Sequence, residues 1–460
     1  MISNTVAGGA SRYSAFSELG TMAKKGSWVF LLLVMLGVAV RVGFVLAADA
    51  RQLTFHSGGS DAPVYALLAE NLISHKGFTY AGQPSAFRPP GYPLLLAGSM
   101  EIFGPHYISA IRWLQFLVGL WTVWICGKIS SRLFNSSAER ATIIFGLFLP
   151  TLIFSTDQLL TECLAAFLTA LFLLFLVDQR QSAGTASAVG LGLVSGLEAL
   201  IRFNAAALPL FAAWVVLKTR HRRSFLLRFA AVVLLPCAVI APWLVRNAYA
   251  FPGRILYSTH GGANAVQGVV TTQGRTQTGD SERLLAAMGW TLRDLETNDP
   301  ARLSLPSEVD LNRNAIRVLP RLWKEQGWNA VPLLLRKIAD FWLSADQILD
   351  TKALPTRERV LRGTGVLVYL ILLSLAVRGL YRLSQTRPEI ASIFLVYVVG
   401  YTLLHLPLVM NTRLRIPLAE PLLIVLAGVG WTSLPYVRAS LREAPEALSS
   451  VDFPDSVSER

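Results

Sequence analysis

Charged residues are scarce in this chain of 460 residues. Asp, Glu, Lys and Arg together make up 15% of the sequence, against about 25% in a typical soluble domain. Hydrophobic residues account for 53%, and the mean hydropathy is +0.47. A water-soluble chain of this length could not bury so much apolar surface. The composition therefore excludes an ordinary soluble protein, a disordered chain and a fibrous repeat.

Cysteine is also rare. The three cysteines, Cys126, Cys163 and Cys237, lie in apolar runs without C-x-x-C spacing. This pattern excludes a disulfide framework and predicts buried, small apolar side chains. No two of the histidines outside the apolar runs lie at close ligand spacing, so the sequence predicts no metal site.

Acidic residues are outnumbered, with 29 Asp and Glu against 42 Lys and Arg, which gives a net charge of +13. In a soluble protein this surplus would suggest a nucleic-acid partner. The sequence has no RNA-binding signature and no solvated basic helix, so we predict that nucleic acid is not a partner. In a membrane protein, the same surplus is expected in the cytoplasmic loops.

Long apolar runs are the dominant feature of the chain. A membrane-spanning helix needs about 20 mostly apolar residues. The first run follows Lys24 and Lys25 and is too long for the apolar part of a signal peptide. The shorter run Pro93–Phe103 is expected at the membrane interface. The sequence thus predicts an all-α polytopic membrane protein with about ten transmembrane helices, near Trp28–Ala48, Ile108–Gly127, Ala141–Ser155, Leu159–Val177, Ser187–Ile201, Ala205–Leu217, Phe229–Val245, Gly363–Val377, Ile390–Val409 and Ile416–Val437.

Basic residues concentrate in alternate short loops, which predicts a cytoplasmic N-terminus. The predicted inner loops contain Lys128, Arg132, Arg140, Arg180, Lys218, Arg220, Arg222, Arg223, Arg228, Arg378, Arg382 and Arg387, against the acids Glu139, Asp178 and Glu389. The predicted organisation is a cytoplasmic tail over 1–27, a main transmembrane region over 28–245 with a helical external loop over 49–107, a small external domain over 246–362, C-terminal transmembrane helices over 363–437 and a cytoplasmic tail over 438–460.

The first external loop contains the densest group of polar motifs. Asp61 and Tyr65 are four residues apart, which places them on one face of a predicted helix. A second cluster, Arg88-Pro89-Pro90-Gly91-Tyr92-Pro93, is stiffened by three prolines, which suits a fixed loop beside a site. Both features have structural alternatives. Asp61 precedes a helix with Pro63 in its first turn, so it could act as an N-cap, and the prolines could simply shape the chain.

Further motifs follow in order along residues 28–437: Thr156-Asp157-Gln158-Leu159-Leu160-Thr161-Glu162, Gly196-Leu197-x-Ala199-Leu200-x-Arg202, Pro242-Trp243-Leu244-Val245-Arg246-Asn247 with Gly261-Gly262-Ala263-Asn264, Tyr401-x-x-x-His405 and Arg413-Leu414-Arg415-Ile416-Pro417. Together with the first-loop motifs, they resemble the polyprenyl-phosphate-sugar-dependent glycosyltransferases of the GT-C class. That class includes the protein O-mannosyltransferases and the lipid A aminoarabinose transferase.

The resemblance implies a GT-C fold and an enzyme that moves a hexose or pentose, with inversion, from a polyprenyl-phosphate donor to a lipid, glycan or protein acceptor. It places the catalytic residues in the main transmembrane region, at the external, periplasmic face of the inner (plasma) membrane. In this family an acidic residue early in the first external loop is the proposed general base, and Asp61 occupies that position. Many protein O-mannosyltransferases have adjacent Asp-Glu there, whereas this chain has Asp61-Ala62, which favours a lipid or glycan acceptor.

Arginines near the predicted external ends of the helices are candidates for binding the donor phosphate, because a guanidinium matches phosphate oxygens in a bidentate contact. They are Arg88, Arg112, Arg202, Arg246, Arg413 and Arg415. We expect Arg413 or Arg415, together with Arg202 or Arg88, to hold the phosphate. Each could instead be a snorkelling surface side chain. Arg202 has a second alternative, since Glu198 lies four residues earlier and could neutralise it.

Four other residues complete the candidate set. Glu162 is a second catalytic candidate, although its position at a predicted helix start also suits the helix dipole. Tyr65, Tyr92 and His405 are candidate substrate-binding residues, while His405 could equally form a hydrogen bond between helices. Asp61 with Glu162 could hold a divalent cation in principle, but their spacing predicts none, and the cofactor stays open. Membrane lipids are the remaining expected partners.

Two other classes of protein compete with this hypothesis. A transporter or flippase of a lipid-linked or anionic substrate is the first. Transporters often contain paired inverted halves, whereas here the polar residues cluster on one face and one large external segment breaks such symmetry. A non-enzymatic membrane scaffold is the second, and it would leave Asp61 and the arginines without a common purpose.

Overall fold

The structure, a computed structural model, describes residues 28–48, 61–220, 223–251, 257–270, 286, 308–343, 356–408, 410, 412–435 and 437. The predicted tails over 1–27 and 438–460, and parts of both predicted external segments, lie outside the described residues. Within the described part, the chain is almost entirely helical.

Sixteen α-helices are described, together with three 3₁₀ turns and one two-stranded antiparallel hairpin. The hairpin pairs β1, Thr79–Tyr80, with β2, Gln83–Pro84. The helices are α1 Trp28–Ala48, α2 Ala62–Ile73, α3 Gly91–Phe103, α4 Tyr107–Leu133, α5 Ser136–Phe148, α6 Pro150–Phe154, α7 Glu162–Ser182, α8 Thr185–Ile201, α9 Leu208–Leu217, α10 Phe225–Ala250, α11 Gly261–Val270, α12 Glu308–Gln326, α13 Ala330–Leu343, α14 Thr356–Thr386, α15 Pro388–His405 and α16 Thr412–Thr432. The 3₁₀ turns are Gly104–His106, Phe203–Ala207 and Gly327–Asn329.

Six of the described helical segments are long and apolar enough to cross a membrane: Trp28–Ala48, Gly91–Leu133, Glu162–Ser182, Phe225–Ala250, Thr364–Thr386 and Pro388–His405. All ten predicted spans coincide with helical structure, but the others are shorter or interrupted. Pro150 divides the third predicted span into α5 and α6, since a proline disfavours helical backbone in the residue before it. The prediction of an all-α, polytopic membrane protein is confirmed.

The run Pro93–Phe103, which we expected at the interface, forms most of α3 and continues through the turn Gly104–His106 into α4. Gly91, at its start, packs against α8. A Cβ at this glycine would lie 2.8 Å from the carbonyl oxygen of Leu200. Only glycine permits this approach, and it brings the loop before α3 beside the end of α8.

Helix α16 is the centre of the bundle, where it packs against α14, α5, α7 and α4. Its contact with α14 is closest at Gly379 and Gly430, where a Cβ on either residue would collide with the backbone of the other helix. Small residues at such crossings let the backbones of membrane helices approach. The start of α16, with Arg413, is therefore fixed by a tightly packed helix.

The loop that leads to Arg88 is held from two sides. Glu308, at the start of α12, accepts hydrogen bonds from the Ser85 hydroxyl, at 2.9 Å, and from the Ala86 backbone N–H. Arg246, near the end of α10, donates to the Ser85 carbonyl at 2.7 Å and to the Phe78 carbonyl at 2.5 Å. These contacts fix the backbone three residues before Arg88.

Candidate active site

Asp61 directly precedes α2, but its side chain makes no capping hydrogen bond to that helix. Its carboxylate forms ion pairs with Arg88 and with Arg413, the latter at 2.8 Å between Oδ2 and Nη2. The alternative of a side-chain N-cap is therefore wrong. The first external loop and the start of α16 meet at this carboxylate.

The surroundings of Asp61 favour its ionised form. Burial raises the pKa of this carboxyl group, but the positive charges of Arg413 and Arg88 outweigh that effect. As a result, the pKa of Asp61 lies below the usual value of an aspartate. An aspartate held in this way is a carboxylate at neutral pH. For the same reason, it is a weak base while both guanidiniums contact it.

Glu162 also contacts Arg413 and joins one further arginine, Arg202, to the same group. Its Oε1 lies 2.5 Å from Nε of Arg413 and 3.3 Å from Nη1 of Arg202. Arg202 also donates to the Thr161 hydroxyl at 2.8 Å. The Glu162 side chain is 3% exposed and lies behind the arginines.

The proposed pairing of Arg202 with Glu198 is replaced by this contact. Glu198 accepts a hydrogen bond from Thr169 at 2.7 Å, while the guanidinium of Arg202 turns to Glu162. The backbone explains the difference: α8 ends at Ile201, and Arg202 has extended dihedral angles, so the helical i, i+4 relation no longer holds there.

These five side chains, Asp61, Glu162, Arg88, Arg202 and Arg413, are called the charged cluster below. A cavity of about 290 Å³ opens beside them, close to the lower end of the range of about 300–1,000 Å³ typical of small-molecule sites. Among the described residues, it is lined by Asp61, Tyr65, Arg88, Pro89, Thr161, Ile201, Arg202, Phe203, Asn204, His260, Asn264, Gln267, His405, Leu408, Arg413 and Leu414.

Six of the eleven predicted site residues thus line one cavity: Asp61, Tyr65, Arg88, Arg202, His405 and Arg413. They come from the first loop, the end of α8, α15 and α16. Their chemical roles stay predictions. Glu162 belongs to the charged cluster through Arg413 and Arg202 but does not line the cavity wall.

Arg415 points elsewhere, which corrects its assignment to this cavity. Its fully buried guanidinium pairs with Glu420 at 3.2 Å, donates to the Phe341 carbonyl at 2.9 Å and lies over the ring of Tyr369. Two positions along an α-helix correspond to about 200°, so Arg413 and Arg415 face opposite sides. Arg415 attaches α16 to α13 and α14.

Arg246 and Tyr92 also lie outside the cavity wall. Arg246 is engaged by the loop carbonyls of Ser85 and Phe78. The Tyr92 hydroxyl donates to Gln115 Oε1 at 2.9 Å, and its ring packs edge-on against Tyr65. Both residues therefore hold neighbouring groups of the cavity in place and do not line it themselves. The position of a residue in a motif does not distinguish such a supporting role from direct binding.

Four polar residues that we did not predict as site residues also line the cavity: Asn204, His260, Asn264 and Gln267. The only signals in the sequence were the position of Asn204 two residues after Arg202 and the glycine pair before Asn264. Among the described residues, no group of three or more His, Cys, Asp and Glu side chains could hold a metal ion.

The chain is similar in sequence and fold to known membrane enzymes. The family described as dolichyl-phosphate-mannose-protein mannosyltransferase matches residues 87–245. This segment contains Arg88, Glu162 and Arg202. No curated protein sequence matches the chain.

Two solved structures match most of this chain. ArnT from Cupriavidus metallidurans, bound to undecaprenyl phosphate, is 17% identical with a TM-score of 0.43, and the match covers 84% of this chain and 78% of that one. The oligosaccharyltransferase AglB from Archaeoglobus fulgidus, in complex with an inhibitory peptide and a dolichol-phosphate, is 15% identical with a TM-score of 0.50. That match covers 92% of this chain but only 52% of AglB, so the chain spans about half of the archaeal enzyme.

The same archaeal enzyme in complex with zinc and sulfate gives a TM-score of 0.51 at 14% identity, over 90% of this chain and 50% of that one. The fold is of the GT-C type. The predicted resemblance to the group that contains the protein O-mannosyltransferases and the aminoarabinose transferase ArnT is confirmed.

Proposed function

We propose that the protein is a membrane glycosyltransferase that moves a hexose or pentose from a polyprenyl-phosphate donor to a lipid, glycan or protein acceptor. Asp61 is its general base. Among these acceptors, the Asp61-Ala62 sequence favours a lipid or glycan over a protein. Two structures of similar fold, ArnT and AglB, are described as bound to undecaprenyl phosphate and to a dolichol-phosphate.

The observation that carries this proposal is the charge of the cluster. Three guanidiniums surround two carboxylates, which leaves one surplus positive charge beside the cavity that Asp61 lines. A phosphodiester between a sugar and a polyprenol has one negative charge. Binding of that group would neutralise the cluster, and the forked guanidiniums suit its oxygens.

Donor binding also provides a way to activate Asp61. When the phosphate oxygens accept hydrogen bonds from Arg88 and Arg413, these guanidiniums stabilise the Asp61 carboxylate less strongly. The pKa of Asp61 then rises. Asp61 can then accept the proton of the acceptor hydroxyl. The acceptor oxygen forms a bond to the anomeric carbon, the bond from that carbon to the phosphate oxygen breaks, and polyprenyl phosphate leaves with the electron pair.

Glu162 acts through the arginines. It contacts Arg413 and Arg202 on the side away from the cavity and holds both guanidiniums in place. Arginines that are oriented before the reaction stabilise the charge that develops on the departing phosphate without a further cost of reorganisation. In this proposal, Glu162 is a positioning residue and Asp61 is the catalytic carboxylate.

The proposed location is the inner (plasma) membrane, with the active site on its external, periplasmic side. Residues 28–245 form the catalytic transmembrane region, residues 246–362 an external domain and residues 363–437 the C-terminal transmembrane helices. Lys128, Arg132 and Arg180, at the opposite ends of α4 and α7 from the charged cluster, support this orientation through the positive-inside rule.

The test is sugar transfer by the purified protein in liposomes, without an ion gradient. We expect labelled sugar to leave the polyprenyl phosphate and appear on added acceptor glycolipids from bacterial envelopes. Arg413→Ala should abolish transfer, whereas Arg313→Ala, which removes an arginine paired with Asp310 outside the cavity, should not. Movement of the intact donor across the bilayer, without cleavage of its sugar–phosphate bond, would instead show a flippase.

A further inference from the structure

The cavity has two chemically different sides. The side described above is the charged cluster. The other side consists of uncharged amide and imidazole groups from the turn after α8, from α11 and its preceding residue, and from the end of α15: Asn204, His260, Asn264, Gln267 and His405. We call this group the amide wall. Among the described residues that line the cavity, every charged side chain belongs to the charged cluster.

Asn204 is oriented by His405, which lies 201 positions further along the chain. Nδ1 of His405 lies 2.9 Å from the Tyr401 carbonyl and therefore carries the hydrogen of this contact. In the uncharged ring, Nε2 is then the acceptor, and it receives the Asn204 Nδ2–H at 2.7 Å. This fixes the amide so that Oδ1 remains as an acceptor.

The Asn204 Oδ1 atom is buried and has no hydrogen-bond partner, on a residue that is 9% exposed. A buried polar atom without a partner is unfavourable, by about 1–3 kcal/mol, and native structures contain few of them. Because Asn204 lines the cavity, a bound hydroxyl group could donate to this oxygen and remove that cost.

His260 contributes a second uncharged polar group. Its ring packs edge-on between Phe87, at 4.4 Å between centroids, and Phe203, at 5.9 Å. Burial, reinforced by the neighbouring Arg88 guanidinium, lowers the pKa of His260 to about 3, so the ring is neutral at physiological pH. Its Nδ1 is also buried without a partner.

The charges of the site decide which sugars it can accept. Once a phosphodiester has neutralised the charged cluster, the site has no net charge, and the amide wall itself contains neither a carboxylate for an ammonium group nor a guanidinium for a uronate. A buried charge without a partner is strongly disfavoured. Hydroxyl groups, in contrast, match amide and imidazole groups that can both donate and accept.

We propose that the amide wall holds the sugar of the donor and that it selects a neutral, polyhydroxylated sugar over an amino sugar or a uronic acid. This inference rests on the proposed function, since it assumes that the charged cluster holds the donor phosphate. A donor whose phosphate lies on the arginines has its sugar attached directly to that phosphate, and the amide wall is the remaining polar surface of the same cavity.

The test measures binding of four short-chain polyprenyl phosphodiesters to the purified, full-length protein: the methyl ester, which has the single negative charge of the donor and is called the bare phosphate here, and the hexosyl, hexuronosyl and 4-amino-4-deoxypentosyl esters. We expect all four to bind through the charged cluster. The hexosyl ester should bind about tenfold more tightly than the bare phosphate, as expected for one or two additional hydrogen bonds. The hexuronosyl and aminopentosyl esters should bind no more tightly than the bare phosphate.

Two variants of Asn204 separate the amide wall from the charged cluster. Asn204→Ala should remove most of the tenfold preference for the hexosyl ester while the affinity for the bare phosphate is unchanged. Asn204→Asp keeps the size of the side chain, and its carboxylate should shift the preference towards the aminopentosyl ester. Asn329→Ala, at an exposed position in the turn between α12 and α13, is the matched control and should behave like the wild type.

Each possible failure has a distinct result. If the bare phosphate does not bind, the proposed function is wrong and the inference fails with it. If the bare phosphate binds but the charged sugars bind as tightly as the hexose, only the amide wall is wrongly assigned. If Asn204→Ala raises the KM of the acceptor and leaves donor binding unchanged, the wall binds the acceptor, and the inference about the donor is overturned.

Discussion

Replacement of Asp61 by asparagine tests the general base most directly. The substitution keeps the shape of the side chain and removes its negative charge and its ability to accept a proton. Because Asp61 makes no capping hydrogen bond, the start of α2 should be unaffected. The side chain is 25% exposed, and Arg413 keeps its second partner, Glu162, at 2.5 Å. The variant should therefore fold normally.

The expected magnitude follows from the two roles that we propose for Asp61 in the site. Loss of a general base typically lowers the rate by about 10²–10⁴, which corresponds to about 3–5.5 kcal/mol in the activation free energy. Loss of the carboxylate also increases the surplus charge of the cluster from one positive charge to two, so the phosphate should bind at least as tightly. We expect kcat to fall by at least a hundredfold and the KM of the donor not to rise.

Initial rates at saturating acceptor, with the donor varied, give both constants. Asp310→Asn is the matched control, because Asp310 forms an exposed ion pair with Arg313 outside the cavity. The reasoning is refuted if Asp61→Asn retains more than a tenth of the wild-type kcat. It is also refuted if the donor KM rises while kcat is unchanged, since Asp61 would then contribute to binding rather than to proton transfer.

Four further predictions concern other parts of the molecule. Arg413→Lys should lower kcat/KM for the donor at least tenfold and leave the acceptor KM unchanged. The reason is that a single ammonium cannot bridge two carboxylates and a phosphate. Equal effects on both substrates in steady-state kinetics would contradict this. Glu308→Ala should raise the donor KM several-fold with little change in kcat, because the loop before Arg88 loses its contact to α12; an unchanged KM would show that the loop is held without it. His260 has a pKa of about 3 in the folded protein and about 6.5 when unfolded. Between these two pH values the unfolded chain binds more protons than the folded protein. The free energy of unfolding therefore falls as the pH drops, by up to about 1.4 kcal/mol per pH unit. Thermal unfolding of His260→Gln should therefore depend less on pH between 7 and 5, and parallel curves would refute this. Single cysteines at Trp328 and Arg132, both exposed, should be labelled from opposite sides of the membrane, and labelling of both from one side would overturn the proposed topology.

Hydropathy was sufficient to locate the helices, because each spanning segment must satisfy its backbone hydrogen bonds internally and hide them behind apolar side chains. It could not show where those helices are interrupted. Pro150 ends the continuity of α5, and the Phe203–Ala207 segment forms a 3₁₀ turn before α9. That turn presents Asn204 to the cavity. The second interruption therefore contributes to the site itself.

The residues that line the cavity differ in how readily they can be predicted from the sequence. Asp61, Arg88 and Arg202 lie in motifs whose order along the chain resembles that in known enzymes. They are also charged residues in an apolar chain, which makes them candidates for a functional site. Asn204 and His260 are uncharged, and their only local signals are weak: Asn204 lies two residues after Arg202, and His260 directly precedes a pair of glycines. Their significance depends on contacts such as that between Asn204 and His405, which local sequence does not contain.

The pair Arg413 and Arg415 shows what a helical pattern can and cannot decide. Two residues that are two positions apart on a helix face opposite sides, so the sequence does imply that only one of them reaches a given cavity. Which one does so depends on the partner available on each side. A fully buried guanidinium needs a carboxylate, and Glu420, five positions after Arg415, provides it at 3.2 Å. Arg413 pairs instead with Asp61 and Glu162, which lie hundreds of positions earlier, and these long-range contacts determine which arginine can bind the donor phosphate.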